Sequence, residues 1–238
     1  MPDDGAAERA QERYDDIHRR ISAYSDFDLS QLEQSKQYFD LSTPELRTRP
    51  FEVLTTLVGL EIPSELQQAL MSQFDKILSL LPDSTRVYRD RPHLMHWESH
   101  IIRRPGEPKP ALPPDTITKL FIEAVSESQA FDITYRGFFV APDGTIAFQG
   151  YGPTGELRSR LRRHLPFSSS RQNETGHISV ARILDPIGTD AFHRLLELRR
   201  SSDKQVLGGL PVREVKLVEE HRWYMEDYEI IGVAPLAT

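Results

Sequence analysis

Two hydrophobic patterns alternate along this chain. Short runs of apolar and β-branched residues predict strands, because such side chains pack well on a pleated surface. Segments whose apolar positions recur every three or four residues predict helices, the clearest of which aligns Leu66, Leu70, Phe74 and Ile77 and ends at Pro82. The predicted strands cover residues 51–60, 87–88, 94–102, 131–140, 145–148, 175–184, 212–220 and 228–233, and the predicted helices cover 64–81, 115–128, 153–165 and a segment after Pro186.

The order of these elements predicts an α+β fold, because pairs of strands are separated by helices. The predicted strands 94–102 and 175–184 each contain a histidine, and each is followed by a loop, a helix and a further pair of strands. We therefore expect a two-lobed, pseudo-symmetric domain of antiparallel sheets flanked by helices. Within it, Asp143 and Gly144 follow a proline between two predicted strands, which predicts a tight hairpin.

The first 49 residues differ from the rest of the chain. They are polar, and the spacing of Tyr14, Ile17 and Ile21 predicts a helix with one apolar side. We expect an N-terminal helical extension at residues 1–49, followed by a domain that spans 50–238. The extension is either a lid packed against that domain or a separate surface for a partner.

The composition narrows the classes of protein to consider. Hydrophobic residues make up 38 % and charged residues 27 % of the 238 positions, as in an ordinary soluble domain. The chain has no cysteine, which excludes disulfides, thiolate catalysis and cysteine-ligated metal sites. It has no apolar run of about 18 residues and begins with an acidic segment, so we expect neither a membrane span nor a secretory signal, and a cytoplasmic location.

The net charge of -7 bears on possible partners. It argues against long, non-specific binding along nucleic acid, which relies on a basic surface. It does not exclude a small nucleotide that is held in a locally basic cleft. Nothing in the composition indicates the oligomeric state.

The segment His-Ile-Ser-Val at residues 177–180 is the first candidate for chemistry. On a regular strand alternate side chains share a face, so His177 and Ser179 point to one side and Ile178 to the core. An imidazole can transfer a proton near neutral pH, and a hydroxyl can donate a hydrogen bond to a phosphoryl oxygen. A strand histidine with an ordinary structural hydrogen bond fits this short segment equally well.

A second histidine strand makes the chemical interpretation stronger, because His96 and Glu98 share one of its faces. Acid–base cleavage of a phosphodiester uses two imidazoles: one accepts a proton from the nucleophile, and the other donates a proton to the leaving oxygen. Histidine strands at equivalent places in two lobes therefore predict that His96 and His177 oppose each other. Hydroxyl and arginine side chains can stabilise the phosphoryl charge without a metal.

From residue 51 to 236 the order of elements resembles the 2H phosphoesterase superfamily, the LigT-like group that includes bacterial 2′-5′ RNA ligases and cyclic phosphodiesterases. Five segments carry this resemblance. They are residues 57–63 as the opening strand running into a helix, 92–102 as the strand of the first H-x-T/S motif, 131–138 as the mid-chain strand, 176–182 as the second motif, and 214–219 with Tyr228 as the closing strand pair.

The resemblance implies roles for five residues. His177 and Ser179 match the second motif, and His96 matches the histidine of the first. Glu98 stands where the family has Thr or Ser, and a carboxylate there repels phosphate unless it is protonated or turned toward His96. Arg182 corresponds to an arginine that often follows the second motif in bacterial members. Regular alternation would place it on the face opposite His177, so reaching the cleft would need a bulge or the end of the strand.

Other side chains have competing interpretations. His96 and His100 would lie about 13 Å apart on a strand, at ~3.3 Å per residue, which is too far to share one metal ion. We therefore expect no metal site and a surface position for His100 at the mouth of the cleft. The arginines of the helix at 153–165, Arg158 among them, form either a solvated face or a rim that attracts phosphate. Aromatic residues could stack on a base but fit the core better, namely Trp97, Tyr135, Phe138, Phe139 and Tyr228.

Together these features predict a metal-independent phosphodiesterase that acts on a small nucleotide or an RNA end. It would open a cyclic phosphate, or cut or join a 2′-5′ phosphodiester, with no cofactor. His96 and His177 would be the catalytic acid and base, and Ser179, Glu98 and Arg182 would bind the substrate. The alternatives are a non-catalytic nucleotide- or protein-binding module on the same fold and a metalloenzyme that uses some of the same residues.

Overall fold

A computed structural model describes residues 4–43 and 45–238 of the chain. Its helices are α1 (Asp4–Ile21), α2 (Leu29–Lys36), α3 (Ser64–Leu78), α4 (Pro114–Ser126), α5 (Thr154–His164) and α6 (Thr189–Ser202). Its strands are β1 (Phe39–Asp40), β2 (Arg47–Thr48), β3 (Pro50–Gly59), β4 (Val87–Arg89), β5 (His96–Arg103), β6 (Phe131–Val140), β7 (Thr145–Tyr151), β8 (Ile178–Ile183), β9 (Val206–Val212), β10 (Glu214–Arg222) and β11 (Asp227–Pro235). Within the described ranges, no helix combines the length and the apolar character that crossing a membrane requires.

Two antiparallel sheets form the body of the molecule. The first sheet has the strand order β11-β10-β3-β5, and the second sheet has the order β4-β8-β7-β6-β9. The two histidine strands lie in different sheets, with β5 at the edge of the first and β8 inside the second. The predicted α+β fold with antiparallel sheets flanked by helices is therefore confirmed.

Four helices cover the outer faces of the two sheets, and the inner faces border a cleft. Helices α4 and α5 pack on the first sheet, and α3 and α6 pack on the second. In the second sheet Phe138 and Phe148 point into the main hydrophobic core, whereas Phe139 and Ala147 belong to a separate cluster on the other face. In the first sheet Trp97 is fully buried in the main core, so its neighbours on β5 point the other way.

Each histidine strand has a β-bulge three residues after its histidine. The extra residue there is Ser99 in β5 and Val180 in β8, and the pairing of β5 shifts a second time at Ile102. A bulge reverses the alternation of side chains beyond it. In β8 this returns Arg182 to the face that Ser179 occupies, which regular alternation would not allow. Both bulges lie three residues after the histidine, His96 in one lobe and His177 in the other, as expected for two pseudo-symmetric lobes.

The structure departs from the predicted strands at several points, and the second histidine strand begins at Ile178 instead of residue 175. The predicted strand 212–220 is divided at Arg213, so that β9 belongs to the second sheet and β10 to the first. Strand β9 was not predicted, because its glycines and Pro211 lower the β propensity. It is an edge strand, where a residue without an N–H group is tolerated. The first histidine strand begins at His96 because residues 92–94 form a 3₁₀ turn.

The N-terminal extension contains the predicted helix as α1, followed by α2 and the short β1–β2 hairpin, which were not predicted. Helix α1 packs across β6 and β7 of the second sheet. Residues 1–3 and 44 of the predicted extension lie outside the described residues. The boundary between the extension and the domain at residue 50 stays a prediction.

The hairpin between β6 and β7 requires a glycine at residue 144. Gly144 has a φ of +85°, and a Cβ atom there would lie 2.0 Å from the carbonyl oxygen of Ile183. We expect Gly144→Ala to lower the free energy of unfolding by about 1–3 kcal/mol, measured by urea denaturation. Gly155→Ala in α5 is the control, because nothing lies within 4 Å of its added Cβ. Equal effects of the two substitutions would contradict this account of the turn.

Candidate active site

The five residues predicted to form the site line a single cleft. His96, Glu98, His177, Ser179 and Arg182 all border a cavity of about 380 Å³. Strand β5 carries the first two residues, and strand β8 with the residue before it carries the other three. Two sheets therefore supply the two histidines to one space, although the histidines are far apart in the sequence.

His96 is held by a main-chain hydrogen bond. Its Nδ1 atom lies 2.8 Å from the carbonyl oxygen of Leu94, and because a carbonyl only accepts, Nδ1–H is the donor. This fixes the tautomer, so that Nε2 of the neutral ring carries the free lone pair. Burial lowers the pKa of His96, and the bond to Leu94 opposes that shift. A neutral ring with a free Nε2 can accept a proton.

His177 is oriented by the hydroxyl of Thr175, whose Oγ1 lies 2.6 Å from Nδ1. The edge of its ring packs against Phe139 at a centroid distance of 5.4 Å. Burial, together with the charges of Arg158 and His96, lowers the pKa of His177 to about 4. The effect of His96 means that the two rings are within electrostatic reach of each other, so protonation of one disfavours protonation of the other.

Arg182 forms part of the cleft wall and is already engaged. Its Nη1 donates to Asp143 Oδ2 at 2.6 Å and to Ser35 Oγ at 3.1 Å, and its guanidinium lies 4.5 Å from the centre of the Trp223 ring. Asp143 offsets much of its charge. The Nε of Arg182 is buried and has no hydrogen-bond partner among the described residues.

The carboxyl group of Glu98 is turned toward the inner wall. Its Oε2 accepts from Asn173 Nδ2 at 2.7 Å, and its Oε1 lies 3.0 Å from the hydroxyl oxygen of Thr55. That hydroxyl has one proton and also lies 3.0 Å from the carbonyl oxygen of His100, which can only accept. A protonated Glu98 that donates to Thr55 satisfies all of these contacts.

The electrostatics of the cleft also favour the protonated, neutral form of Glu98. Burial raises the pKa of Glu98. Burial also raises the pKa of Glu220, a second carboxyl of the cleft wall, well above its ordinary value, and the charge of Glu98 adds to that shift. Two carboxyl groups that share one buried space cannot both ionise easily. The cleft is therefore less negative than its composition suggests.

The sequence analysis missed the role of one buried arginine. Arg158 Nε donates to the carbonyl of Ser99 in β5 at 3.1 Å, and its Nη2 donates to the carbonyl of Thr175 beside His177 at 2.8 Å. Its guanidinium lies 5.3 Å from the centre of the Trp97 ring. Arg158 thus joins the two histidine strands.

Arg158 is only 4 % exposed, so neither the solvated face nor the phosphate-attracting rim describes it. Burial lowers the pKa of Arg158 to about 10, and it remains charged at neutral pH. No ion pair to it is present among the described residues. Its spacing could have revealed it, because it shares the i, i+3, i+7 register of Leu161 and Leu165 on the buried side of α5.

Two further expectations are corrected by the structure. His100 is 2 % exposed rather than at the surface, because the bulge at Ser99 turns it away from the cleft. Among the predicted aromatic residues, Phe139 lines the cleft. Trp223 and Tyr224 line it as well. Residues 4–43 and 45–238 contain no group of three His, Asp or Glu side chains arranged to hold a metal ion.

Comparison with known proteins gives matches among solved structures. The protein TT0787 of Thermus thermophilus aligns with a TM-score of 0.53 at 14 % identity, covering 77 % of this chain and 97 % of that chain. LigT of E. coli, complexed with NADP+, aligns with a TM-score of 0.52 at 14 % identity, covering 80 % of this chain and 100 % of LigT. A structure described as a phosphoesterase aligns with a TM-score of 0.51 at 13 % identity, covering 80 % and 100 %.

These likenesses confirm the predicted resemblance at the level of the fold, which is the LigT-like 2H phosphoesterase fold. No family model matches the chain, and no curated protein matches it in sequence. At this level of identity the likeness concerns the fold alone, so the chemistry of the cleft follows only from its own residues.

The charge of Arg158 contributes to the low pKa of His177. Replacing the charge with Arg158→Gln removes a positive neighbour, so the pKa of His177 should rise toward its ordinary value. Arg158→Lys keeps the charge and should leave the pKa low. The measurement is an NMR titration of the imidazole resonances, with Arg163→Gln on the exposed side of the same helix as the control. A pKa that does not change in Arg158→Gln would contradict the proposed electrostatic contact.

Proposed function

Starting from the LigT-like 2H phosphoesterase fold, we propose that this chain is a metal-independent phosphodiesterase. Its substrate is the 2′,3′-cyclic phosphate of a nucleotide or RNA end, or a 2′-5′ phosphodiester. The observation that carries the proposal is that His96 and His177 line one cleft, each with its Nδ1 engaged in a hydrogen bond. Each ring therefore keeps Nε2 for proton transfer.

The two imidazoles carry out two proton transfers, one each. A neutral ring removes a proton from water as the water oxygen attacks phosphorus, and a new P–O bond forms. The bond from phosphorus to the ribose oxygen breaks, and the protonated ring donates its proton to that oxygen. One ring gains a proton and the other loses one, so the pair is restored after exchange with solvent. Either His96 or His177 can begin as the base.

Three groups can stabilise the charge on the phosphoryl oxygens. Ser179 borders the cleft with Arg182 and can donate its hydroxyl proton, and the guanidinium of Arg182 contributes positive charge. A protonated Glu98 presents no negative charge to the phosphate. Behind the histidine strands, the buried charge of Arg158 adds a positive field, which the charge of Glu174 offsets in part.

The dimensions and lining of the cleft suit a small nucleotide. A cavity of about 380 Å³ is within the range that binds small ligands. Phe51, Trp223 and Tyr224 line it together with the histidines, and aromatic rings offer surfaces on which a base can stack. The net charge of -7 disfavours binding along extended nucleic acid, so we infer that the substrate is a mononucleotide or the end of an RNA strand.

Replacing either histidine tests the catalytic assignment. We expect His96→Ala and His177→Ala each to lower kcat for 2′,3′-cyclic nucleotides by roughly 10²–10⁴, because each removes one proton-transfer group. Turnover is followed by chromatographic separation of the cyclic and opened nucleotides, in the presence of EDTA. His93→Ala is the control, because His93 is exposed and lies outside the cleft lining.

Three outcomes would count against the proposal. Wild-type rates in either variant would remove the histidines from the mechanism. Loss of activity in EDTA would favour a metalloenzyme. Binding of nucleotides by the wild-type protein without any turnover would favour the non-catalytic binding module.

If Glu98 binds substrate in its protonated form, the activity of Glu98→Gln relative to the wild type should depend on pH. Glu98→Gln copies the neutral acid, since its amide can donate to Thr55 and accept from Asn173. Because burial raises the pKa of Glu98, the wild-type carboxyl is neutral at low pH and becomes negative as the pH rises, which weakens phosphate binding. The ratio of kcat/KM for the variant to that of the wild type should therefore increase with pH. A ratio that decreases as the pH rises would show that Glu98 acts as a carboxylate, and a constant ratio would contradict its titration in the pH range measured.

A further inference from the structure

Helix α1 of the N-terminal extension reaches the segment that precedes His177. Arg13 Nη1 donates to the main-chain carbonyl of Glu174, and its Nη2 donates to Glu174 Oε2 at 2.6 Å. The other carboxylate oxygen of Glu174 accepts from Arg162 on α5 at 2.7 Å. Glu174 is thus held between the extension and the domain, three residues before the histidine.

Tyr14, the next residue of α1, contacts the strand against which residues 174–176 pack. Tyr14 is fully buried, its hydroxyl donates to the carbonyl of Gly150 at 3.2 Å, and it accepts from the N–H of Gly150 at 3.1 Å. The main chain of Gly150 lies directly against Gly176, because a Cβ on Gly150 would be 2.0 Å from the Gly176 carbonyl oxygen. Tyr14 therefore fixes the strand on which the residue before His177 rests.

A ring contact adds a second route from Tyr14 to the histidine. The Tyr14 ring packs on Phe139 at a centroid distance of 5.9 Å, and Phe139 packs on His177 at 5.4 Å. Between the two routes, Thr175 directs its hydroxyl to His177 Nδ1 and its carbonyl to Arg158. Every residue from 174 to 176 is thus held by an identified contact.

We propose that Arg13 and Tyr14 are positioning residues for His177, and that α1 is in this sense a part of the active site. They hold residues 174–176 so that the Thr175 hydroxyl sets the plane of the imidazole. This rests on the proposed function for its catalytic consequence, because a general acid or base works only when its ring is aligned with the reacting atoms. It also gives the extension a role within the molecule in place of a separate surface for a partner.

The exposure of Arg13 allows positioning to be separated from folding. The side chains of Arg13 and Glu174 are 44 % and 45 % exposed, and ion pairs of that kind contribute little to stability. We expect Arg13→Gln to leave the melting temperature close to that of the wild type. A loss of activity in this variant then reports on the loop and not on unfolding.

The experiment compares Arg13→Gln and Tyr14→Phe with Arg20→Gln. Arg20 lies on the exposed side of the same helix and pairs with Asp16, so its variant is the matched control. We expect kcat for a 2′,3′-cyclic nucleotide to fall roughly three- to thirtyfold in the first two variants, with KM little changed, because orientation and not binding is lost. Arg13→Lys, which keeps one donor, should recover part of the loss.

An NMR titration of the His177 imidazole supplies a readout that needs no turnover. We expect its resonances and its pKa to change in Arg13→Gln and Tyr14→Phe and to stay unchanged in Arg20→Gln. If the wild type turns over no nucleotide but His177 responds in this way, the proposed function fails and the positioning role stands. If the wild type is active and Arg13→Gln matches Arg20→Gln in both kcat and the His177 resonances, the positioning role is overturned.

Discussion

The guanidinium of Arg158 sets the distance between the two histidine strands. A buried cation must find acceptors for its N–H groups, because leaving them unsatisfied in an apolar surrounding is costly. Arg158 finds them in the carbonyls of Ser99 and Thr175, one beside each histidine segment. The requirement of a single side chain for hydrogen bonds thus couples two sheets that no strand pairing joins across the cleft.

The β-bulges determine which side chains of the two histidine strands face the cleft. With strict alternation a strand could present a histidine and the residue two positions on, but not a third cleft residue at an odd spacing. The bulge at Val180 brings Arg182 to the cleft, and the bulge at Ser99 removes His100 from it.

The sequence predicted the features that depend on local periodicity. The shared face of His177 and Ser179, like that of His96 and Glu98, follows from the period of two, and the fold class follows from the order of strands and helices. Features that depend on distant partners were missed. The charge of Arg158 indicated exposure because its acceptors lie elsewhere in the sequence, and the glycines of β9 concealed an edge strand. Glu98 was recognised as unusual, but its contacts with Thr55 and Asn173 exist only in the folded chain.

The central claim is that a single phosphate interacts with both imidazoles. The most direct test is an NMR titration of the wild-type protein with 3′-AMP, one product of opening 2′,3′-cyclic AMP, that follows the ring resonances of His96 and His177. We predict that both shift along one saturation curve and that both pKa values rise, because a bound phosphate stabilises each imidazolium. Two different curves, or a response from only one of the rings, would contradict the account.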